Sequence, residues 1–278
     1  MRQVPTPEGS TLAVHELGTG DRPTLMCHAT GFHGAVWEPL ARALGEGFGR
    51  WALDFRAHGA SIAPPGQPLG WDGFRDDVLA VVDALQLPAG QVLGVGHSMG
   101  GAALLLAEQA RPGTFAGLWL YEPITPPPAA MPGVDGPNPL ADGAARRRSS
   151  FPSAEAALAN FAAKPPLNVL RADALHAYVR HGFVPGEDGA VHLACRPEDE
   201  SQTYRQAPGH QAFARLGEVA CPVVVACGRD EPGPVRFAPA VADALPHGRL
   251  ERHPFGHFGP LEAPEVCADA VRAFARSL

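Results

Sequence analysis

The sequence is poor in several features that would place it in a specialised class of protein. Lys164 is the only lysine among 278 residues and the net charge is −7, so neither nucleic acid nor an anionic membrane is an expected partner. The five cysteines form no C-x-x-C pair and no Cys/His ligand spacing, which disfavours a zinc site and favours reduced, buried thiols. No apolar run reaches the length of a membrane span, and the N-terminus lacks the apolar core of a signal peptide. These absences predict a cytoplasmic protein without a metal or a membrane span.

What the sequence does contain is a regular alternation of strand-like and helix-like segments. The clearest amphipathic helix runs from Trp71 to Leu87, with its apolar side chains at helical spacing. Short apolar runs typical of buried strands lie between such helices. The alternation predicts an α/β fold, in which a mostly parallel central sheet is covered by helices on both faces. Predicted strands cover residues 12–17, 24–28, 50–55, 91–95, 115–121, 222–227 and 249–253.

The alternation breaks in the middle of the chain. Proline and glycine crowd residues 123–139, which excludes a regular helix or a central strand there. Helical spacing returns at residues 153–163 and 172–181, and loop-rich sequence follows to about residue 209. Apolar positions at helical spacing favour an ordered insertion over a disordered loop. We predict an α/β core formed by residues 1–122 and 213–278, and a helical cap or lid formed by residues 123–212.

The most informative stretch is GHSMGG at residues 96–101, between a predicted strand and a predicted helix. Ser98 has glycine two residues before it and two residues after it, which is the G-x-S-x-G pattern of a nucleophile elbow. The chain must turn sharply from strand into helix, and glycines allow the two elements to approach. Because a serine hydroxyl is a weak nucleophile until a base removes its proton, the motif predicts partner residues elsewhere in the chain.

Other polar segments follow other predicted strands, and ligand sites of α/β sheets collect at the carboxyl ends of strands. The segments are HATGFHG at residues 28–34, DFRAHGAS at 54–61, GRDEPGP at 228–234 and FGHFGPLE at 255–262. In this order, together with the elbow, they resemble the α/β-hydrolase superfamily, and the resemblance covers nearly the whole chain outside residues 123–212.

The resemblance implies roles for individual residues. The order Ser…Asp/Glu…His of the family assigns Ser98 as the nucleophile and His257 as the general base and acid. The acid is expected three residues after the glycine that ends the preceding strand, which is Glu231. Asp230 is the alternative acid, and Glu122, after the strand at residues 115–121, is a third candidate because some members take their acid from that strand end.

The resemblance also implies an oxyanion hole, which binds the negatively charged oxygen of the reaction intermediate. Its donors are expected to be the backbone N–H groups of Met99 and Thr30. The usual H-G-x pattern of the family is replaced here by His28-Ala29-Thr30, so alanine stands where glycine is usual.

The activity that follows from the resemblance is hydrolysis of a carboxylic ester, or of a related lactone or thioester, through an acyl-enzyme on Ser98. No cofactor is implied, the partner is a small-molecule substrate, and the sequence does not indicate the oligomeric state. The alternatives are a non-enzymatic small-molecule-binding protein on the same fold, a cofactor-free haloperoxidase and a carbon–carbon hydrolase. The last of these typically carries asparagine and tryptophan where this chain has His97 and Phe258. The run of arginines at residues 146–148 favours a solvated charged segment over an anion site.

Overall fold

The computed structural model describes residues 1–130, 136–187, 189–231 and 233–278. Residues 131–135 and 188, within the predicted insertion, and residue 232, beside the predicted acid, lie outside the described residues. The strands are β1 Arg2–Pro5, β2 Thr11–Gly18, β3 Arg22–Cys27, β4 Phe48–Leu53, β5 Val92–His97, β6 Phe115–Tyr121, β7 Ser150–Phe151, β8 Phe183–Pro185, β9 Val191–Leu193, β10 Val223–Cys227 and β11 Gly248–Arg252. The helices are α1 Glu38–Leu44, α2 Trp71–Ala84, α3 Met99–Ala110, α4 Pro139–Ala145, α5 Ala154–Ala163, α6 Ala172–His181, α7 Pro197–Gln206, α8 Ala238–Ala244, α9 Gly259–Glu262 and α10 Pro264–Arg276, with short 3-10 turns between them.

Eight of these strands form one sheet in the order β1-β2-β4-β3-β5-β6-β10-β11. β1 and β2 run antiparallel to their neighbours, whereas the pairs from β4 to β11 are all parallel. The predicted fold class, a mostly parallel sheet between layers of helices, is therefore confirmed. Because the parallel strands end at one edge of the sheet, the loops that follow β3, β5, β6, β10 and β11 all reach that edge.

The central strands of the sheet are buried on both faces, and their side chains alternate between two apolar clusters. In β6, Leu118 and Leu120 join one cluster, and Trp119 and Tyr121 join the other. The first cluster includes side chains of α2, α3 and α8, and the second includes side chains of α1 and α10. Successive side chains of a strand point to opposite faces, so burial on both faces explains why the strands read as continuous apolar runs.

The segment between β6 and β10 contains α4, α5, α6 and α7 and a small sheet in the order β7-β9-β8. Its two predicted helices are confirmed as α5 and α6, but the predicted loop-rich stretch is wrong because it contains β8, β9 and α7. α7 has proline in its first turn and acidic residues there, both of which favour a helix start. Its buried positions are Glu200, Ser201 and Thr203, so no apolar periodicity marked it in the sequence.

Hydrogen bonds fasten this segment to the sheet and its helices. The indole of Trp71 donates to the carbonyl of Thr203 at 3.0 Å, and the N–H of Arg171 donates to the carbonyl of Leu261 at 2.9 Å. Nε2 of His33 lies 3.1 Å from the carbonyl oxygen of Tyr178 in α6. The His33 ring is buried, and burial lowers its pKa from 6.5 to about 4.

This buried ring gives a prediction for the pH dependence of stability. Between the lowered pKa of about 4 and the value of 6.5, His33 is neutral in the folded protein and protonated in the unfolded chain. The unfolded state therefore binds more protons, so this contribution to stability rises with pH and is lost as the pH falls. Replacing His33 with glutamine should reduce the dependence of the unfolding free energy on pH by about 1 kcal/mol per pH unit near pH 5.5.

The measurement is guanidinium unfolding at several pH values between 5 and 6. The control is exposed His247, whose replacement by glutamine removes an imidazole ring that is not buried. Equal slopes for the His33→Gln and unmodified proteins would contradict the prediction.

Candidate active site

Ser98 lies at the turn between β5 and α3. Its backbone has φ 56° and ψ −116°, a strained conformation for a residue with a side chain. Backbone hydrogen bonds hold it there: the Ser98 N–H donates to the carbonyl of Tyr121 at 3.0 Å, and the Ser98 carbonyl accepts from the N–H of Ile124 at 3.2 Å. The strand and helix approach closely at the same turn, since a Cβ added to Gly96 would lie 2.7 Å from the Cα of Gly101. These features have the geometry of a nucleophile elbow.

His257 lies in the loop between β11 and α9 and lines the same cavity as Ser98. Its Nδ1 atom is 2.6 Å from Oε2 of Glu122. Two further bonds fix the loop: the hydroxyl of Tyr121 donates to the carbonyl of Gly256 at 2.9 Å, and Nε2 of His97 lies 2.8 Å from the carbonyl oxygen of His257. Burial lowers the pKa of His97 well below its ordinary value, so its neutral ring donates Nε2–H to this carbonyl.

Glu122 is the residue directly after β6, and its carboxylate is buried. While Oε2 accepts from His257, Oε1 accepts a hydrogen bond from the N–H of Gly228 at 2.9 Å. The Glu122 N–H donates to the carbonyl of Ala226 at 2.8 Å, and its φ is 45°. The end of the neighbouring strand, β10, thus fixes Oε1 and the backbone of Glu122, which leaves Oε2 directed at His257.

The carboxylate that the structure brings to His257 is therefore Glu122, the third of the candidate acids, rather than Glu231 or Asp230. Glu231 instead pairs with Arg229, with Oε2 and Nε 3.3 Å apart, and its side chain is 37% exposed. Asp230 is exposed. The physical reason is the strand order: β6 and β10 are adjacent, so their ends both reach the histidine loop, and the buried position beside the ring belongs to the end of β6.

The loop that contains Thr30 also reaches the cavity. Nδ1 of buried His28 is 2.7 Å from the carbonyl oxygen of Ala29, and its Nε2 accepts a hydrogen bond from the N–H of Phe55 at 3.1 Å. Burial lowers the pKa of His28 well below its ordinary value, so the neutral ring donates through Nδ1 and accepts through Nε2. The N–H of Phe32 also donates to the Ala29 carbonyl, at 3.1 Å.

These bonds orient the peptide that joins Ala29 to Thr30. A carbonyl and the N–H of the same trans peptide point in opposite directions, so fixing the Ala29 oxygen also fixes the direction of the Thr30 N–H. The Thr30 hydroxyl lies 3.4 Å from Sδ of Met99, which places the two predicted donor residues side by side. Among the described residues, no hydrogen bond uses the N–H of Thr30 or of Met99, so both remain free to donate to a ligand.

The cavity beside Ser98 and His257 has a volume of about 500 Å³, a size suited to a small organic molecule. Most of its wall is apolar, but it also includes charged groups that the sequence did not indicate. Arg147, predicted to be solvated, is largely buried and forms an ion pair with Glu200 at 2.7 Å. The apolar lining residues are Ala29, Phe32, Pro139, Leu140, Ala144, Phe151, Phe161, Pro165, Pro166, Leu167 and Phe258.

The described residues hold no cluster of three or more histidine, cysteine, aspartate or glutamate side chains suited to a metal ion. All five cysteines are buried free thiols. No helix within the described ranges is long and apolar enough to cross a membrane.

Comparison with known proteins identifies the class. The sequence profile of the alpha/beta hydrolase family matches residues 24–270, which is most of the chain. The chain therefore belongs to the alpha/beta hydrolase family, as the sequence motifs indicated.

Individual proteins match the chain over only part of its length or at low sequence identity. Human monoglyceride lipase is 37% identical over 110 residues, and this match spans 38% of the chain and 36% of the lipase. Among solved structures, E-2-(acetamidomethylene)succinate hydrolase superposes with a TM-score of 0.81 at 23% identity, covering 99% of this chain and 98% of that one. The esterase RhEst1 from Rhodococcus superposes with a TM-score of 0.76 at 22% identity, covering 100% and 98%. The structural matches establish the fold.

Proposed function

We propose that this protein is a serine hydrolase that cleaves carboxylic esters through an acyl-enzyme on Ser98. The observation that carries the proposal is the hydrogen bond between His257 and buried Glu122, beside a strained serine on the same cavity. A carboxylate bonded to Nδ1 holds the proton on that atom, so the other ring nitrogen, Nε2, presents a lone pair. That tautomer is the one needed to accept a serine proton.

The proposed reaction proceeds in two halves. His257 takes the proton of Ser98 as Oγ attacks the ester carbonyl carbon, and the protonated ring is stabilised by Glu122. The carbon–oxygen bond to the alcohol then breaks, and His257 returns the proton to the departing oxygen. Water attacks the acyl-enzyme while His257 accepts its proton, and the carboxylic acid leaves as Ser98 regains its hydrogen.

The free N–H groups of Thr30 and Met99 are the proposed oxyanion donors. Each such donor typically contributes about 3 kcal/mol to transition-state stabilisation. The substitution of alanine for the usual glycine at position 29 is compatible with this role, since two hydrogen bonds fix the Ala29 carbonyl and so aim the following N–H.

We further propose that residues 123–212 form a cap over the cavity and select the substrate. The reacting groups come from the sheet edge, whereas much of the remaining wall comes from α4, α5 and α7. A lactone or thioester requires the same acyl-transfer chemistry and fits the same proposal.

The test is covalent labelling with a fluorophosphonate, combined with turnover of short 4-nitrophenyl esters. One label per chain should attach to Ser98, as located by peptide mass spectrometry, and labelled protein should lose esterase activity. The Ser98→Ala protein should take no label. Binding of a small molecule with neither labelling nor turnover would instead favour the non-enzymatic alternative on this fold.

A further inference from the structure

The cavity wall carries mostly positive charges, whereas the chain as a whole is negatively charged. The chain carries a net charge of −7 and a single lysine, yet that lysine lines the cavity together with two arginines. Besides His257, the ionisable side chains of basic or acidic residues in the lining are Lys164, Arg147, Arg148 and Glu200. Three cations face one carboxylate, so the cavity is positive within an acidic protein.

Arg147 is the most tightly held of these cations. One of its nitrogens is 2.7 Å from Oε2 of Glu200, and another bonds to the hydroxyl of Tyr178. Its guanidinium carbon lies 5.6 Å from the ring centre of Phe161 and 5.9 Å from that of Tyr178. A guanidinium has five N–H donors, so these two partners leave donors for a third. The group is fixed before any ligand arrives, which lowers the entropic cost of binding.

The other two cations are not neutralised. Nε of Arg148 donates to the carbonyl of Ser150 at 2.8 Å, and the guanidinium carbon lies 4.3 Å from the ring centre of Phe151. Nζ of Lys164 donates to the side-chain oxygen of Asn160 at 2.9 Å. These acceptors are uncharged, and no carboxylate of the described residues forms an ion pair with either cation. The positive charge of the cavity therefore remains available to a ligand.

We infer that the substrate bears a carboxylate, which binds among Arg147, Arg148 and Lys164 while its ester carbonyl lies at Ser98. This inference rests on the proposed function and names the class of ester involved. All three cations come from the segment between β6 and β10, so specificity for the anion would reside outside the sheet that supplies the reacting groups. Arginine is suited to this task because its fork of donors matches a carboxylate.

The test compares two esters that release the same 4-nitrophenolate: 4-nitrophenyl hydrogen adipate, which is an anion at neutral pH, and its neutral methyl ester. With spontaneous hydrolysis subtracted, the unmodified protein should show a kcat/KM about tenfold higher for the anion at low ionic strength. Added salt should reduce this preference, since the side chains of Arg148 and Lys164 are exposed.

Variants show which side chains cause the preference for the anionic ester. The double substitution R148M/K164M should bring the ratio of the two kcat/KM values close to one, because it removes both cations that have no carboxylate partner. R147M/E200Q removes both partners of the buried ion pair and leaves the net charge of the lining unchanged, so it should lower the ratio but keep it above one. Arg146→Met is the matched control, because Arg146 is adjacent in sequence but exposed and does not line the cavity, and it should keep the full preference.

The outcomes separate the two proposals. Equal or faster turnover of the neutral ester by the unmodified protein, or an equal loss in the Arg146→Met protein, would overturn the inference and leave the esterase proposal intact. Turnover of neither ester, with no labelling of Ser98, would overturn the proposed function itself.

Discussion

Replacement of Glu122 by glutamine should reduce kcat by about a thousandfold to ten-thousandfold, with little change in KM. The carboxylate is buried and bonded to His257 through Oε2 and to the Gly228 N–H through Oε1. In the variant, the amide oxygen must accept from Gly228, which turns the amide NH2 toward His257. The ring must then accept at Nδ1 and hold its proton on Nε2, where it cannot take the proton of Ser98.

Glu231→Gln and Asp230→Asn are the matched controls for this experiment. Both positions follow β10, the strand next to β6, but Glu231 pairs with Arg229 and Asp230 is exposed. Each should alter kcat/KM by less than about threefold, the usual scale for a surface ion pair. If Glu231→Gln were the more damaging change, the assignment of Glu122 as the acid would be wrong. Circular dichroism and thermal unfolding show whether each variant keeps the fold.

The second large effect is expected at Gly100, where α3 passes the end of β3. A Cβ at this position would lie 2.2 Å from the carbonyl oxygen of Cys27 and 2.7 Å from that of His28. Both neighbours are backbone atoms of a central strand and its following loop, so neither can rotate away. Gly100→Ala should therefore lower the unfolding free energy by about 3 kcal/mol or more, as severe overpacking does.

Chemical unfolding of Gly100→Ala and Gly217→Ala, side by side, measures this cost. Gly217 is exposed, and an added Cβ meets no atom within 4 Å, so its replacement should change stability by less than about 1 kcal/mol. If Gly100→Ala lowered the unfolding free energy by less than about 1 kcal/mol, α3 would be able to move away from β3. Any Gly100→Ala protein that still folds should hydrolyse esters more slowly, because the shift displaces Met99 and Ser98.

The sequence allowed prediction of the sheet and of the elbow because both depend on local patterns. Burial on two faces produces continuous apolar strands, and a sharp strand-to-helix turn requires small residues around Ser98. Strand β1 and helix α7 had weaker signals in the sequence. β1 is only four residues long and largely exposed, and the buried positions of α7 are polar, so neither shows apolar periodicity.

The partner of His257 could not be read from the sequence in the same way. Glu122 and Glu231 follow adjacent strands, and only the packed sheet shows which carboxylate is buried beside the ring. Glu122 also adopts a positive φ, which is rare for a residue with a side chain and has no sequence signature. Arg147 illustrates the same limit, because three consecutive arginines look alike until Glu200, Tyr178 and Phe161 surround one of them.

The hydrogen bonds of Glu122 to Ala226 and Gly228 have an evolutionary consequence. They join the end of β6 to the end of β10. The segment between these two strands is therefore a loop whose ends are held together. The entropy of closing such a loop changes only slowly with its length. Segments of different size and charge can therefore be exchanged at this point by insertion or deletion, while serine, histidine and glutamate keep their mutual positions. Under the proposed function, such exchanges alter the part of the cavity wall that would contact the substrate and leave the proposed reacting groups in place.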